Sequence, residues 1–243
     1  GGSTRIVIRG NGNIAGNNQP LIVVDGVPIN NDNLGSAGMW GGQDWGDGLS
    51  SLNSDDIENI SILKGNTASA LCGYRASNGV ILVTTKKGKA GQGLRIELNS
   101  NFQAETFMNV NDFQNQYGSG RNGAKPTTVE EALAGTLYSW GERLDGSSVI
   151  QQDGVSRPYS DVGDNQDRFY QTGSTWTNTL SLSGGAENIG YRFSMTNLDN
   201  QAIIPNSGID RKSFSANVNG QKGKWRGSLT GTYVKEDAKN RSG

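Results

Sequence analysis

The sequence predicts a mixed α/β domain followed by antiparallel transmembrane β-barrel strands, too few to close a barrel. Three observations predict it. Apolar residues form short continuous runs before residue 88. Apolar and polar residues alternate strictly after residue 89. The connections between the alternating strands are long and short by turns.

The first region holds Ile6-Val7-Ile8, Leu21 to Val24, Ile57 to Leu63 and Val80 to Val83. Short β-branched runs of this kind read as strands buried on both faces. Between the last two, Asn66 can cap a short helix and Gly73 can stop it. Residues 1–88 are therefore expected to form the α/β domain.

Residues 89–243 read differently. Leu94, Ile96, Leu98, Phe102 and Ala104 share one face of a strand, opposite Arg95, Glu97, Asn99, Asn101, Gln103 and Glu105. Trp176, Leu180 and Leu182 oppose Thr175, Thr177, Thr179, Ser181 and Ser183. Ile189, Tyr191, Phe193 and Met195 oppose Arg192, Ser194 and Thr196. Phe214, Ala216 and Val218 oppose Ser213, Ser215, Asn217 and Asn219. Trp225, Leu229 and Tyr233 oppose Arg226, Ser228, Thr230 and Thr232. One apolar and one polar face fit a membrane barrel with a wet lumen. They fit a soluble antiparallel sheet with one solvated face equally well.

The connections separate the two. The first, about 108–174, is very long, and the second, Gly184 to Asn188, is tight. The third, 200–210, is intermediate and the fourth, Gly220 to Gly223, is tight again. Outer-membrane barrels alternate outer loops with short periplasmic turns in this way. The long loop carries its own helix signal. Thr128 and Glu131 can form a capping box, Val129, Leu133, Leu137 and Trp140 form a stripe, and Gly141 is the stop. A long loop with local structure is usually functional.

Composition narrows the chemistry. Apolar residues are 33% of the chain and there are 36 glycines, too poor a mixture for one filled globular core. The 22 basic and 23 acidic residues balance, so nothing marks a nucleic-acid binder. The chain has no histidine, the commonest general base and metal ligand. Its one cysteine, Cys72, allows no intrachain disulfide and no cysteine-based zinc site, and reads as a small apolar residue. No stretch approaches the roughly 18 apolar residues of a membrane helix. No cofactor, metal or catalytic residue is expected, and the chain does not read as an enzyme.

Three motifs need weighing. Gly10-Asn11-Gly12-Asn13-Ile14-Ala15 matches a dinucleotide fingerprint, but Gly16 to Pro20 is turn material where that fingerprint opens a helix. Asp55 and Asp56 are adjacent carboxylates after Asn53-Ser54, which reads as the start of a helical turn with acids at its positive end. Trp40, Asp44, Trp45 and Asp47 lie on a Gly-rich segment between strands. They are the substrate-binding candidates, because exposed tryptophans stack on sugars or contact peptides. The tryptophans could equally be apolar anchors against an inner barrel wall.

Beyond single motifs, an ordered set resembles the SusC/RagA family of TonB-linked outer-membrane proteins. It comprises Ile8-Arg9-Gly10, Pro20 to Pro28, Leu52 to Ile60, Leu63-Lys64-Gly65 and Asn78 to Gly88. Downstream it continues with Trp140-Gly141, Leu144-Asp145-Gly146, Ser181 to Gly185 and Ile203 to Gly208. The first group resembles the family's plug, whose N-terminal part would be missing, and the second its first barrel segments. Cys72 departs from the tyrosine usual there. The resemblance implies a mixed α/β plug domain inside an outer-membrane barrel, acting as the gate for nutrient import. It implies oligosaccharide or oligopeptide substrates, outer-membrane lipid, and a SusD-like surface lipoprotein as partner. It also implies the TonB–ExbB–ExbD complex, engaged through a TonB box that these residues lack. Even the smallest barrels need about 8 strands, and plugged transporters about 22. Transport is therefore expected of a longer protein. The competing readings are a soluble secreted carbohydrate-binding or adhesin-type β module, and a hydrolase using carboxylates alone.

Overall fold

A computed structural model describes residues 6–8, 10, 18–31, 48–49, 52–64, 70, 73–110, 113–163 and 165–240. They fall into two compact units, Gly1–Glu105 with Gly173–Gly243, and Thr106–Thr172.

The α/β part of the first unit is a four-stranded sheet. Its strands are β1 (Leu21–Val24), β2 (Val27–Ile29), β3 (Ile57–Leu63) and β4 (Val80–Thr85), in the order β2-β1-β4-β3. β1 and β4 are parallel and the other pairs antiparallel. The two central strands carry both cores. Val23 and Val80 pack with Ala76 in one cluster, and Ile22, Ile81 and Val83 in another. Burial on both faces is why these runs do not alternate. The Asp25-Gly26 turn between β1 and β2 has φ of 49° and 87°. That pair of positive values suits a tight hairpin. The Asp25 carboxylate then accepts hydrogen bonds from the Thr85 N–H at 3.1 Å and hydroxyl at 2.5 Å, and pairs with Lys87.

Three expectations change here. Ile6-Val7-Ile8 is not a strand; Ile6 and Ile8 instead pack on the second cluster. β3 is not buried on both faces, because it is the sheet edge and leaves Ile60 and Ile62 exposed. The short β2 was not anticipated, having only three residues. The helix expected from Asn66, with Cys72, lies largely outside the described residues. Gly73, its expected stop, has φ +70° and opens a 3-10 turn, Gly73–Ala76.

Past β4 comes β5 (Arg95–Glu105). In the second unit follow β6 (Ser148–Ile150) and β7 (Ser156–Pro158), and in the first unit again β8 (Gly173–Ala186), β9 (Ile189–Gln201), β10 (Gly208–Lys222) and β11 (Trp225–Lys239). β5 and β8 to β11 form one antiparallel sheet in the order β11-β10-β9-β8-β5, a row with β5 and β11 at its edges. All five expected strands are present. They run further into the expected turns because Gly184 and Gly185 still pair with Tyr191 and Gly190, leaving Glu187-Asn188 as the turn.

Register brings the apolar positions of the five strands into shared rows. Leu98, Leu180, Met195, Phe214 and Tyr233 are direct neighbours across the whole sheet. Trp225 stands near one end of this face, and the tilted pair Phe102 and Trp176, centroids 4.6 Å apart, near the other. The face is bare: Leu98 is 76% exposed, Met195 62% and Tyr233 66%. The opposite, polar face is the covered one, with Thr179, Ser181, Ser183, Arg192, Ser194, Thr196 and Asn217 all buried. A soluble sheet buries its apolar face. This sheet is inverted, as a barrel wall between lipid and a polar interior must be.

The second unit has its own small core. Tyr159 is buried and donates a hydrogen bond to the Ser119 carbonyl at 3.0 Å. Gly118 and Gly141 flank it; a Cβ on Gly118 would lie 2.5 Å from the ring. α1 (Val129–Gly135) starts as expected, with the Thr128 hydroxyl accepting from the Glu131 N–H at 3.2 Å. Glu131 reaches back to Thr127, one residue before the cap. The helix is shorter than expected and its stripe is not buried. It ends at Gly135, which packs on the Gly120 backbone, and leaves Leu133, Leu137 and Trp140 exposed. α2 (Asn165–Phe169) follows the β6–β7 hairpin, and Phe107 stacks on Tyr170 at 4.0 Å. In the hairpin loop Asp153 accepts both Arg157 guanidinium nitrogens, at 2.8 and 2.7 Å, and the Val155 N–H at 3.0 Å. Arg157 first, then the Val155 N–H, hold its carboxyl down to about 2.

Two outcomes are expected. In the full-length receptor, Met195→Arg, mid-strand on the bare face, should destabilise folding into lipid vesicles by about 2–4 kcal/mol. Denaturant titration in vesicles checks it; no loss would mean that this face does not meet lipid. The second concerns Asp153, whose pKa is lower folded than unfolded. Its contribution is present above the ordinary carboxylate value of 3.8 and disappears as pH falls through about 2. Protection of the Val155 amide against hydrogen exchange should fall over that window. Asp153→Asn should lack it at every pH.

Candidate functional site

The site is where the α/β part meets the polar wall. Its centre is the 3-10 turn Ser54–Asp56, just before β3. Asn53 caps the turn through its side-chain oxygen, which accepts from the Asp55 N–H at 3.1 Å. Its amide nitrogen donates outward to the Thr196 hydroxyl at 2.6 Å. Capping thus fixes the direction in which the two acids leave the turn.

Both carboxylates point at the wall. Asp55 accepts from the Thr179 hydroxyl at 2.5 Å and from the Asn99 amide at 2.8 Å. Asp56 accepts from the Ser194 hydroxyl at 2.6 Å and pairs with Arg192 at 3.4 Å. Glu97 lies 3.5 Å from the other end of the same guanidinium. The wall groups form a grid set by the strand period. Asn99, Thr179 and Thr196 share one row, Glu97, Ser181 and Ser194 the next, and Arg95, Ser183 and Arg192 the third. The main chain adds one bond, from the Lys86 N–H to the Asp56 carbonyl at 2.8 Å, tying the turn to the end of β4.

A second fastening is made of backbone. The connection from β4 to β5 runs across the β8–β9 turn, where Gly91 N–H donates to the Ala186 carbonyl and Gly185 N–H to the Gln92 carbonyl, each at 2.8 Å. A Cβ on Gly88 would collide with the Tyr191 backbone, and one on Gly190 with the Gly88 backbone. Only glycine allows main chains this close.

Chemically the grid can hold and release, but it has no reactive centre. Each charged hydrogen bond is worth about 1.5–3 kcal/mol when made, and each neutral one about 0.5–1.5 kcal/mol, because water replaces it on breaking. The Asp56–Arg192 pair has exposures of only 13% and 8%. Desolvation offsets much of its attraction, so it fixes position more than it adds stability.

Sequence reasoning placed Asp55 and Asp56 in a turn, which they form, but saw no role for them. Nothing local to Asp55-Asp56 names Thr179 or Ser194, more than 120 residues away. The expected substrate residues Trp40, Asp44, Trp45 and Asp47 lie outside the described residues. The ends of their segment are described: the Leu49 N–H donates to the Asn31 side chain at 3.0 Å, and Asn31 donates to Gln19 at 3.1 Å. Among the described residues no cluster of metal-ligating side chains is present.

An inverted sheet with an α/β unit latched to its polar face defines a class, the plugged outer-membrane barrel. Residues 1–80 match the family model of the TonB-dependent Receptor Plug Domain. The chain is 34% identical over 220 residues to the TonB-dependent receptor SusC of Bacteroides thetaiotaomicron, covering 90% of this chain and 18% of SusC. It is 27% identical over 245 residues to the TonB-dependent receptor P39 of Formosa agariphila, covering 99% of this chain and 20% of that receptor. Among solved structures, the RagAB peptide transporter matches with a TM-score of 0.65 at 22% identity, over 96% of this chain and 26% of that one. The RagAB peptide importer in its closed-closed state gives 0.61 at 23% identity, over 92% and 25%. The chain spans about a fifth of the length of the curated relatives it matches. It belongs to the SusC/RagA family of TonB-dependent outer-membrane receptors, and holds plug and barrel strands of such a protein.

Removing Asp56 would leave Arg192 buried with only Glu97 nearby. In the full-length receptor Asp56→Ala should cost about 3 kcal/mol, the lower end for breaking a buried pair. Asp56→Asn, which can still accept from Ser194, should cost less. Hydrogen exchange of the β3 amides checks both; equal protection in all three proteins would mean that the latch carries no load.

Proposed function

We propose that the whole receptor imports oligosaccharides or oligopeptides across the outer membrane, with the plug as its gate. The observation that carries this is the latch. A plug held to a polar wall by side-chain hydrogen bonds can exchange them for water one at a time, each at small net cost. An apolar contact offers no such exchange. In this reading residues 1–88 are the plug domain, 89–243 the first barrel strands, and about 108–174 an extracellular loop. Energy comes from the TonB–ExbB–ExbD complex through a TonB box elsewhere in the protein. A SusD-like lipoprotein at the surface is the capture partner. SusC supports it as a relative, and the RagAB structures, described as a peptide importer, support the fold. A soluble binding module would leave the whole apolar face of the sheet in water, far beyond the few hundred Å² that monomers tolerate.

Within this reading Trp40, Asp44, Trp45 and Asp47 face the substrate path. The aromatic rings would take apolar faces of the substrate and the acids its polar groups. Replacing both Trp40 and Trp45 by Ala in the full-length protein should lower uptake about tenfold or more, equivalent to ~1.4 kcal/mol. Outer-membrane abundance should stay unchanged. Radiolabelled-substrate uptake checks it, and parental uptake in the double variant would remove these residues from the path. Deleting TonB should abolish uptake altogether; uptake that persists would overturn the import reading.

A further inference from the structure

The second unit contains a hollow that the latch does not use. Its volume is about 790 Å³, and its lining includes Tyr117, Tyr138, Trp140, Arg121, Asn122 and Ser139. Small-molecule sites span roughly 300–1,000 Å³. We propose that this hollow is a binding site for a pyranose ring of an oligosaccharide, a capture subsite on the loop that precedes β8.

Three features point to sugar. First, the aromatic faces are on offer, not packed away. Trp140 is 73% exposed and Tyr117 51%. A pyranose has an apolar C–H face that flat rings cover well, and a rim of hydroxyls that does not need to leave water. Second, the polar lining suits that rim. The Arg121 guanidinium lies 5.5 Å over the Tyr138 ring, which orients it, and the lining holds no carboxylate to occupy it. Asn122 and Ser139 add an amide and a hydroxyl. Third, the lining is braced before any ligand arrives. Gln114 spends its side chain on Tyr117, accepting from the Gln116 and Tyr117 N–H groups at 3.0 and 2.9 Å and donating to the Tyr117 carbonyl at 2.8 Å. The Gly123 N–H donates to the Trp140 carbonyl at 2.7 Å and the Gly120 N–H to that of Tyr138 at 3.1 Å. A preformed site loses less entropy on binding.

A peptide fits less well. Peptides commonly add a strand to a free edge. Here the backbone of the lining is already consumed, as Gly141 N–H to the Gly118 carbonyl at 3.2 Å also shows. With no carboxylate in the lining, a peptide's amino end would find no counter-charge.

The proposal rests on the import reading but is tested by binding alone. Full-length receptor in detergent is titrated calorimetrically with maltohexaose, cellohexaose, xylohexaose and mannohexaose, with hexa-alanine for comparison. At least one hexasaccharide should bind. Trp140→Ala should weaken it tenfold or more, and Trp140→Phe, which keeps a ring, less than threefold. Trp225→Ala, on the bare face of the sheet, should match the parent. If Trp140→Ala does not reach the membrane, Arg121→Ala replaces it, with at least a threefold loss expected. The site is overturned if no hexasaccharide binds, if only the peptide binds, or if these hollow variants bind like the parent. Uptake distinguishes the two ideas. Normal TonB-dependent uptake with unaltered binding in Trp140→Ala removes only the subsite. Binding lost in that variant, with no TonB-dependent uptake in the parent, removes only the import reading.

Discussion

The rest of the structure depends on what each face of the five-stranded sheet touches. Its apolar face is bare and its polar face is covered. In water that arrangement would be unstable, since the bare face offers row after row of Leu, Met, Phe and Tyr to solvent. In lipid it is the low-energy one. The hydrocarbon takes the apolar face, and antiparallel pairing satisfies the backbone groups that lipid cannot. The polar face is then left for whatever fills the interior. Here that is the α/β unit, and the choice of medium outside dictates a polar contact inside.

This explains the character of the latch. Serines and threonines on alternate wall positions supply short donors at regular spacing, and one capped turn delivers two carboxylates to them. The contact has direction and register, because a slip of one residue along a strand would present apolar side chains instead. It is also soft, because each bond has an equivalent in water. The glycine-lined crossing of Gly88 over Tyr191 is different in kind. It is a main-chain contact that tolerates no side chain, and it holds the chain where one architecture gives way to the other. A gate needs both, a firm attachment and a releasable one.

Much of this was legible in the sequence. The five strands and their two faces followed from alternation, because a period of two has only one structural meaning once it persists over eight or more residues. The Thr128 cap and the turn at Ser54–Asp56 were legible because capping chemistry is local. Elsewhere local signals failed for tertiary reasons. Ile60 and Ile62 read as core but sit on a sheet edge, and edge position depends on strand order. The stripe Leu133, Leu137 and Trp140 read as one helix face. Gly135 against Gly120 ends the helix early and frees Trp140 to line a hollow.

The sequence by itself determined the strands, their register-defining alternation, the turn and cap residues, and, through ordered motifs, the family. It also determined that no histidine-based or thiol-disulfide chemistry operates within these residues, since a missing residue type cannot be supplied by folding. It did not determine which face of the sheet is the outside. Alternation is symmetric, and the same pattern serves a soluble sheet and a barrel wall. Only the tertiary structure broke that symmetry, by setting the α/β unit against the polar side. The same step gave Asp55 and Asp56 their partners, because residues more than 120 positions apart meet only when the chain has folded.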